Sequence, residues 1–152
     1  MGVATSASAE GSTAMGLGTV ASGEGSTTMG LGTVASGEGS TATGCLTVAS
    51  GNCSIAIGDH TVASGDSSTA MGNSTAASGE GSTAMGLGTI ASGNGSIAMG
   101  KYNNPGPDGK PHLLSVGDGT AVDARSNVLA VTHDGTVVAA DLECDKIGRA
   151  HV

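Results

Sequence analysis

Hydrophobic and polar positions along the first hundred residues repeat with a fixed period. Glycine occupies every seventh position from Gly16 to Gly100, and the segments between these glycines alternate between two patterns. One segment ends in T-V-A-S-G, as at Thr19–Gly23, and the other ends in S-T-A-M-G, as at Ser12–Gly16. The repeating unit is therefore fourteen residues long. A fixed period indicates stacked modules that bury their apolar surfaces against one another.

Each half of the unit predicts a short β-strand that is closed by a glycine corner. A coiled coil is disfavoured because one glycine per heptad costs about 1 kcal/mol relative to alanine, and because large apolar residues are missing at a and d. Collagen needs glycine at every third residue. Glycine supplies the positive φ that a tight corner requires. We therefore expect an all-β fold over residues 1–100, a β-solenoid (β-roll) of fourteen-residue coils.

Alternation within the strands predicts which side chains face the interior. The third position of each strand is nearly always alanine, and a methyl group fits the narrow inside of a flattened coil. The second and fourth positions then face outward, by the two-residue period of a strand. The predicted roll interior comprises Ala14, Ala21, Ala35, Ala42, Ala49, Ala56, Ala63, Ala70, Ala77, Ala84, Ala91 and Ala98.

The outward positions of the S-T-A-M strands are mostly apolar. On a single chain they would form an exposed apolar patch, which predicts a subunit interface. The outward positions of the other strands, such as Val34 and Ser36, are half polar and are assigned to solvent. The predicted interface residues are Met15, Met29, Ile55, Ile57, Met71, Met85, Ile97 and Met99.

The composition also favours an oligomer. The chain has one tyrosine and no phenylalanine or tryptophan, so small aliphatic side chains must form the core. Fourteen residues per coil enclose little volume, and a stack this narrow is expected to be poorly stable alone.

Charge and motif spacing provide no support for an enzyme, a metal site or a cofactor. The net charge of −8 disfavours nucleic acid as a partner. No helix follows the Gly-rich segments, as a phosphate loop would require. The histidines show no metal-ligand spacing, and no serine has a plausible His/Asp setting. Five acidic residues share one corner position and are interpreted as a solvated edge: Glu10, Glu24, Glu38, Asp66 and Glu80.

The cysteines do not form a disulfide framework. A five-residue strand separates the corners that carry Cys45 and Cys53 by about 16 Å, whereas a disulfide requires Cα atoms within about 7 Å. The third cysteine, Cys144, lies near the end of the chain. We interpret Cys45 and Cys53 as substitutions at tolerant corner positions.

The alternation of S-x-A-x-G with A/T-x-A-x-G resembles the YadA-like head repeat of trimeric autotransporter adhesins. The most similar segments are Gly51–Gly58 and Gly93–Gly100, and the resemblance covers about residues 10–100. It implies a left-handed parallel β-roll in a homotrimer, with the S-x-A-x-G strands toward the axis. The same repeat is also similar to modules of bacteriophage tail fibres and tailspikes.

Residues 101–142 break the period and predict a small capping β element. A loop with breaker residues covers Lys101–Pro111. Strands are expected at Leu113–Val116, Asn127–Thr132 and Thr136–Ala140, with a turn between the last two. This region resembles a cap of phage and prophage fibres. We expect it to cover the open end of the stack.

The last residues, 143–152, are predicted to be an unstructured tail. Ile147–Val152 match one translated frame of a sequencing adapter, which indicates read-through rather than native protein. Met1 lies inside the repeat pattern, so we expect that an anchor, stalk or signal peptide belongs to missing regions. Any contact with a membrane is expected to be made by those regions.

Three functions follow as alternatives. The first is a surface-displayed trimeric adhesin head that attaches to a host protein, matrix or glycan from the bacterial outer membrane. The second is a segment of a phage tail fibre on a virion. The third is a flat β-solenoid that binds ice or crystalline polysaccharide. Threonines at a regular spacing favour the third function. However, the two-residue period of a strand places them on the same side as the inward alanines.

Overall fold

The structure is a computed structural model that describes residues 2–106 and 111–140. The predicted tail at 143–152, with Cys144 and the suspected read-through segment, lies outside the described residues. The described parts of the chain form seventeen β-strands and contain no helix.

Short and long strands alternate along the roll. The short strands are β1 Ser6–Ala7, β3 Val20–Ala21, β5 Val34–Ala35, β7 Val48–Ala49, β9 Val62–Ala63, β11 Ala76–Ala77 and β13 Ile90–Ala91. The long strands are β2 Thr13–Leu17, β4 Thr27–Leu31, β6 Thr41–Cys45, β8 Ile55–Asp59, β10 Thr69–Asn73, β12 Thr83–Leu87 and β14 Ile97–Lys101.

Every strand of the roll pairs in parallel with the equivalent strand one coil away. Thr41 is opposite Ile55, and Gly44 is opposite Gly58, a register of fourteen residues. The short strands form a seven-stranded sheet, and the long strands belong to a ten-stranded sheet. The all-β solenoid with fourteen-residue coils, predicted from the sequence, is therefore confirmed.

The prediction that the glycines of period seven are corner residues is wrong for those in the long strands. Gly51 and its equivalents do begin a turn, in which the backbone N–H of Ser54 donates to the carbonyl of Gly51 at 3.2 Å, but their φ is not positive. Gly58 lies inside β8 with φ 133°, and a Cβ atom there would overlap the carbonyl oxygen of Gly72 in the next coil. A Cβ atom at Gly51 would similarly overlap the backbone of Gly65. The left-handed corners come two residues later, for example at Cys53 with φ 54°. Close approach between neighbouring coils, rather than a corner, excludes side chains at the periodic glycines.

The interior of the roll is a stack of alanine methyl groups and small hydroxyl side chains. Ala14 lies in the first coil and is half-buried, and Thr28 occupies the equivalent interior position of β4, where it is fully buried. The other predicted interior alanines are buried, with relative exposures of 0–2%: Ala21, Ala35, Ala42, Ala49, Ala56, Ala63, Ala70, Ala77, Ala84, Ala91 and Ala98.

The segment after the roll extends the long-strand sheet by three strands, β15 Leu114–Asp118, β16 Asn127–Val131 and β17 Val137–Ala139. We refer to residues 111–140 as the cap. Strand β15 pairs in parallel with β14, and β16 and β17 follow in antiparallel order. The strands lie within two residues of the bounds expected from the sequence. Their addition continues one sheet only, because the short-strand sheet ends at β13.

Candidate functional site

The candidate site is the side of the long-strand sheet that faces away from the buried alanines, and we call it the outer face. Each long strand contributes two alternating residues to it, for example Ile55 and Ile57 on either side of the buried Ala56. All eight residues of the predicted interface lie at these positions. Met15, Met29, Ile55, Ile57 and Ile97 are exposed, and Met71, Met85 and Met99 are half-buried.

Parallel register turns these residues into two straight columns. Met71 is opposite both Ile57 and Met85, and Met85 is opposite Met99. Since adjacent strands lie about 4.8 Å apart, each side chain contacts its neighbours in the column. The column from Met15 to Met99 forms a mainly apolar strip, whereas the column of Ile55 and Ile97 otherwise consists of threonines. An apolar strip of this kind marks an interaction surface.

Sequence reasoning missed part of the outer face. Because the long strands continue past their glycines, the residue after each glycine forms a third column, which includes Leu17 and Leu31 at 50% and 47% exposure. The two-residue alternation of side chains could have identified these leucines from the sequence. They were missed because the glycine before them was interpreted as a corner that ends the strand. Thr43 is a polar interruption of the methionine column.

The third column becomes polar in the middle of the roll. The Nδ1 atom of His60 lies 2.8 Å from Oδ1 of Asp59, and the Nδ2 atom of Asn73 donates to Oδ2 of Asp59 at 3.0 Å. The side chains of His60 and Asp59 are 57% and 46% exposed, so this pair is an ordinary hydrated contact. Within residues 2–106 and 111–140, no group of three or more His, Cys, Asp or Glu residues could hold a metal ion.

Asp66, and the asparagines that share its corner position, have a structural role that the sequence did not reveal. The backbone N–H of Asn52 donates to Oδ1 of Asp66 at 2.9 Å, and the backbone N–H of Glu38 donates to Oδ1 of Asn52 at 3.1 Å. Each of these side chains therefore satisfies a corner amide of the preceding coil. Cys53 is an exposed free thiol at this corner. Cys45 is a half-buried free thiol at the end of β6, in the third column of the outer face, so the prediction of a corner position for it was wrong.

The short-strand sheet presents a mixed surface of valine and serine. Val34 is half-buried, whereas Ser36 and its equivalents are exposed. The threonines that precede these strands point inward, with relative exposures of 0–1%: Thr19, Thr33, Thr47, Thr61, Thr75 and Thr89. No exposed threonine array is therefore formed by this described column.

Comparison with known families identifies the repeat. The family model described as YadA head domain repeat (2 copies) matches residues 1–19, 7–27, 21–44, 49–75 and 77–103. These segments cover nearly all of the roll and more than half of the chain. A search of curated proteins found no match. Over the described ranges, the structure has no helix with the length and apolarity needed to cross a membrane.

Proposed function

The chain belongs to the YadA head domain repeat family, and we propose on this basis that it is the head module of a trimeric adhesin displayed outside a bacterial cell, at the outer membrane surface. In this proposal the head attaches the cell to a host protein, matrix component or glycan. The observation that carries it is the match of the family over the roll, together with the apolar outer face.

The proposed trimer is supported by the apolar surface that a single chain leaves uncovered. The interior of the roll consists of methyl and hydroxyl groups, whereas larger apolar side chains such as Met15 and Ile57 lie on the outer face. Burial of such side chains contributes about 1.5–3 kcal/mol each. Three copies that turn their outer faces toward a common axis would bury all the columns at once, and this arrangement is a closed cyclic assembly.

Attachment in this proposal depends on many weak contacts rather than on one deep site. Solenoid heads of adhesins are typically structural and not enzymatic, and the surface here consists of flat strands and shallow corners. Three identical columns on one rod allow weak single contacts to combine on a target with repeated sites. We expect strong binding to a dense glycan or matrix surface and very weak binding to the same ligand in soluble monovalent form.

Light scattering of the purified chain over a concentration series tests the assembly. We expect a particle of three times the 14.3 kDa chain mass. The change Met71→Lys places three charges in the interface and is expected to produce monomers. A matched control is Ser64→Lys, at an exposed position of the short-strand side. A soluble wild-type monomer at every concentration would contradict the proposal.

A second candidate function is a segment of a bacteriophage tail fibre. It is supported by the cap, which resembles phage and prophage fibre sequences and lies beyond the last residue of the family match. Mass spectrometry of purified virions and of washed outer membranes separates the two candidates, since only one of these fractions should contain the chain. Binding to ice or crystalline polysaccharide is not proposed, because the threonines that suggested it are buried.

A further inference from the structure

We propose that the cap is part of the same interaction surface as the roll, so that each cap packs against the caps of two further copies of this chain. The inference rests on the proposed trimer and extends it beyond residue 103, where the family match ends. Its basis is the register of the three cap strands with the last strand of the roll.

Register carries the first two columns of the outer face into the cap, whereas the third column is charged at its end, where Lys101 is opposite Asp118. Ile97 is opposite Leu114, Leu114 is opposite Val131, and Val131 is opposite Val137. The methionine column continues in the same way, as Met99, Val116, Leu129 and Ala139. Residues directly opposite each other in neighbouring strands point to the same side of a sheet. The cap therefore extends the strip with apolar side chains only, whereas within the roll the two columns are interrupted by threonines such as Thr43 and Thr83.

The opposite side of the cap strands serves a different purpose. Ser115 is opposite Ala98, and Ala130 is opposite Ser115, so both continue the row of interior alanines of the long strands. These two cap residues are buried, at 2% and 3% exposure. The inner side is thus buried at Ser115 and Ala130, as in the long strands of the roll, but it becomes exposed at the edge of the cap, where Val128 and Val138 lie. On the outer side, Leu114 and Leu129 are only half-buried within one chain.

Continuity with the roll identifies a second copy of this chain as the partner. No aspartate, glutamate, lysine or arginine occurs in either column from β2 to β17. An uncharged strip is suited to contact with an identical strip, because like charges would otherwise meet in a symmetric assembly. If the outer faces of three rolls meet at an axis, the outer sides of their caps face the same axis, because the cap strands belong to the same sheet.

Two adjacent residues of β17 provide a matched pair of variants. Val137 and Val138 are exposed to similar extents in one chain, 59% and 54%, but they belong to opposite sides of the sheet. We would compare Val137→Lys and Val138→Lys with the wild type by light scattering in a dilution series. Since both sites are exposed, neither variant should impair folding, which circular dichroism would verify. A milder pair, Val137→Thr and Val138→Thr, covers the case in which a lysine variant does not fold.

The result expected is that Val137→Lys raises the concentration at which the trimer dissociates by roughly tenfold or more, whereas Val138→Lys leaves it within about twofold. If the wild type is trimeric and both variants dissociate as it does, the cap inference is overturned while the proposed trimer stands. Equal weakening by both variants also overturns it. A monomeric wild type overturns the cap inference and the proposed trimer together.

Discussion

The side-chain amide of Asn103 takes the place of a β-strand next to Ile90. Its Oδ1 atom accepts from the backbone N–H of Ile90 at 2.7 Å, and its Nδ2 atom donates to the carbonyl of Ile90 at 2.9 Å. In the preceding coil, the equivalent N–H of Ala76 donates to the backbone carbonyl of Thr89 at 2.8 Å. Asn103 follows Thr89 by fourteen residues. It is fully buried and ends the short-strand sheet without leaving these groups unpaired.

Replacement of Asn103 by leucine should therefore destabilise the chain. The change removes both partners of Ile90 as well as the bond from Asn103 Nδ2 to Ser115 Oγ at 2.7 Å. Because a buried polar group without a partner costs about 1–3 kcal/mol, we expect a loss of at least this size in the free energy of unfolding by denaturant. The control is Asn94→Ala, at an exposed corner with one bond from Glu80 N–H, which should change stability by less than about 0.5 kcal/mol. Equal effects would contradict this role for Asn103.

Glycines at two kinds of position should respond differently to alanine. Gly58→Ala places a Cβ atom on the carbonyl of Gly72, whereas Gly25→Ala, at a corner with φ 63°, meets no atom within 4 Å. The corner change costs only the left-handed conformation, about 1–2 kcal/mol, and other coils already carry Leu46 and His60 at left-handed corners. We expect Gly58→Ala to cost at least twice as much, as measured by thermal unfolding. A smaller loss for Gly58→Ala than for Gly25→Ala would contradict the close approach of the coils.

The sequence predicted the coil length and strand parity because both depend on local periodicity. Fourteen-residue register follows from identical neighbours, and the burial of Ala56 follows from alternation along one strand. The function of Gly58 could not be derived in this way, because its constraint comes from the backbone of Gly72 in the next coil. Asn103 stands at the repeat position of Thr89, but its strand-ending role depends on side-chain bonds to Ile90 and Ser115 that the periodic pattern does not encode.

The outer face was likewise predicted only for residues inside the expected strands, where side chains alternate between the two sides of the sheet. Met71 and Ile57 were identified, but Leu17 and Leu31 were missed because the strand was expected to end at the glycine. The continuation of the strip into Val116 and Leu129 was not visible from sequence either, because it requires the register between β14, β15 and β16.

Overpacking of the roll interior should be more harmful than a polar change on the short-strand side. Ala56 is fully buried between Ala42 and Ala70, so Ala56→Leu should lower stability by about 1–3 kcal/mol per chain. Val62 is 37% exposed, and Val62→Thr should change the melting temperature little. Calorimetry of both variants gives the comparison. If Val62→Thr proves the more damaging, the assignment of the two sides is inverted.

A substitution of the interior residue Thr28 is expected to increase stability rather than decrease it. It occupies a position that is alanine in neighbouring β6, and its buried hydroxyl oxygen makes no hydrogen bond among the described residues. Since an unpaired buried hydroxyl costs about 1–3 kcal/mol, Thr28→Val, which retains the side-chain volume, should raise the free energy of unfolding. Denaturant unfolding measures the change. A loss of stability in Thr28→Val would mean that this hydroxyl has a partner in solution.

The turn between β16 and β17 should depend on the ionised form of Asp134. The hydroxyl of Thr132 and the backbone N–H of Thr136 donate to Oδ1 of Asp134, and these bonds lower the pKa of its carboxyl from 3.8 to about 2. Because the folded pKa lies below the unfolded one, the stabilisation is present above about pH 4 and is lost as the pH falls through about 2. A carboxyl ¹³C NMR titration should show this midpoint. Thr132→Val, which removes the principal donor, should move the midpoint toward 3.8, whereas Thr120→Val, outside the turn, should leave it unchanged. A wild-type midpoint near 3.8 would contradict the hydrogen-bonded turn.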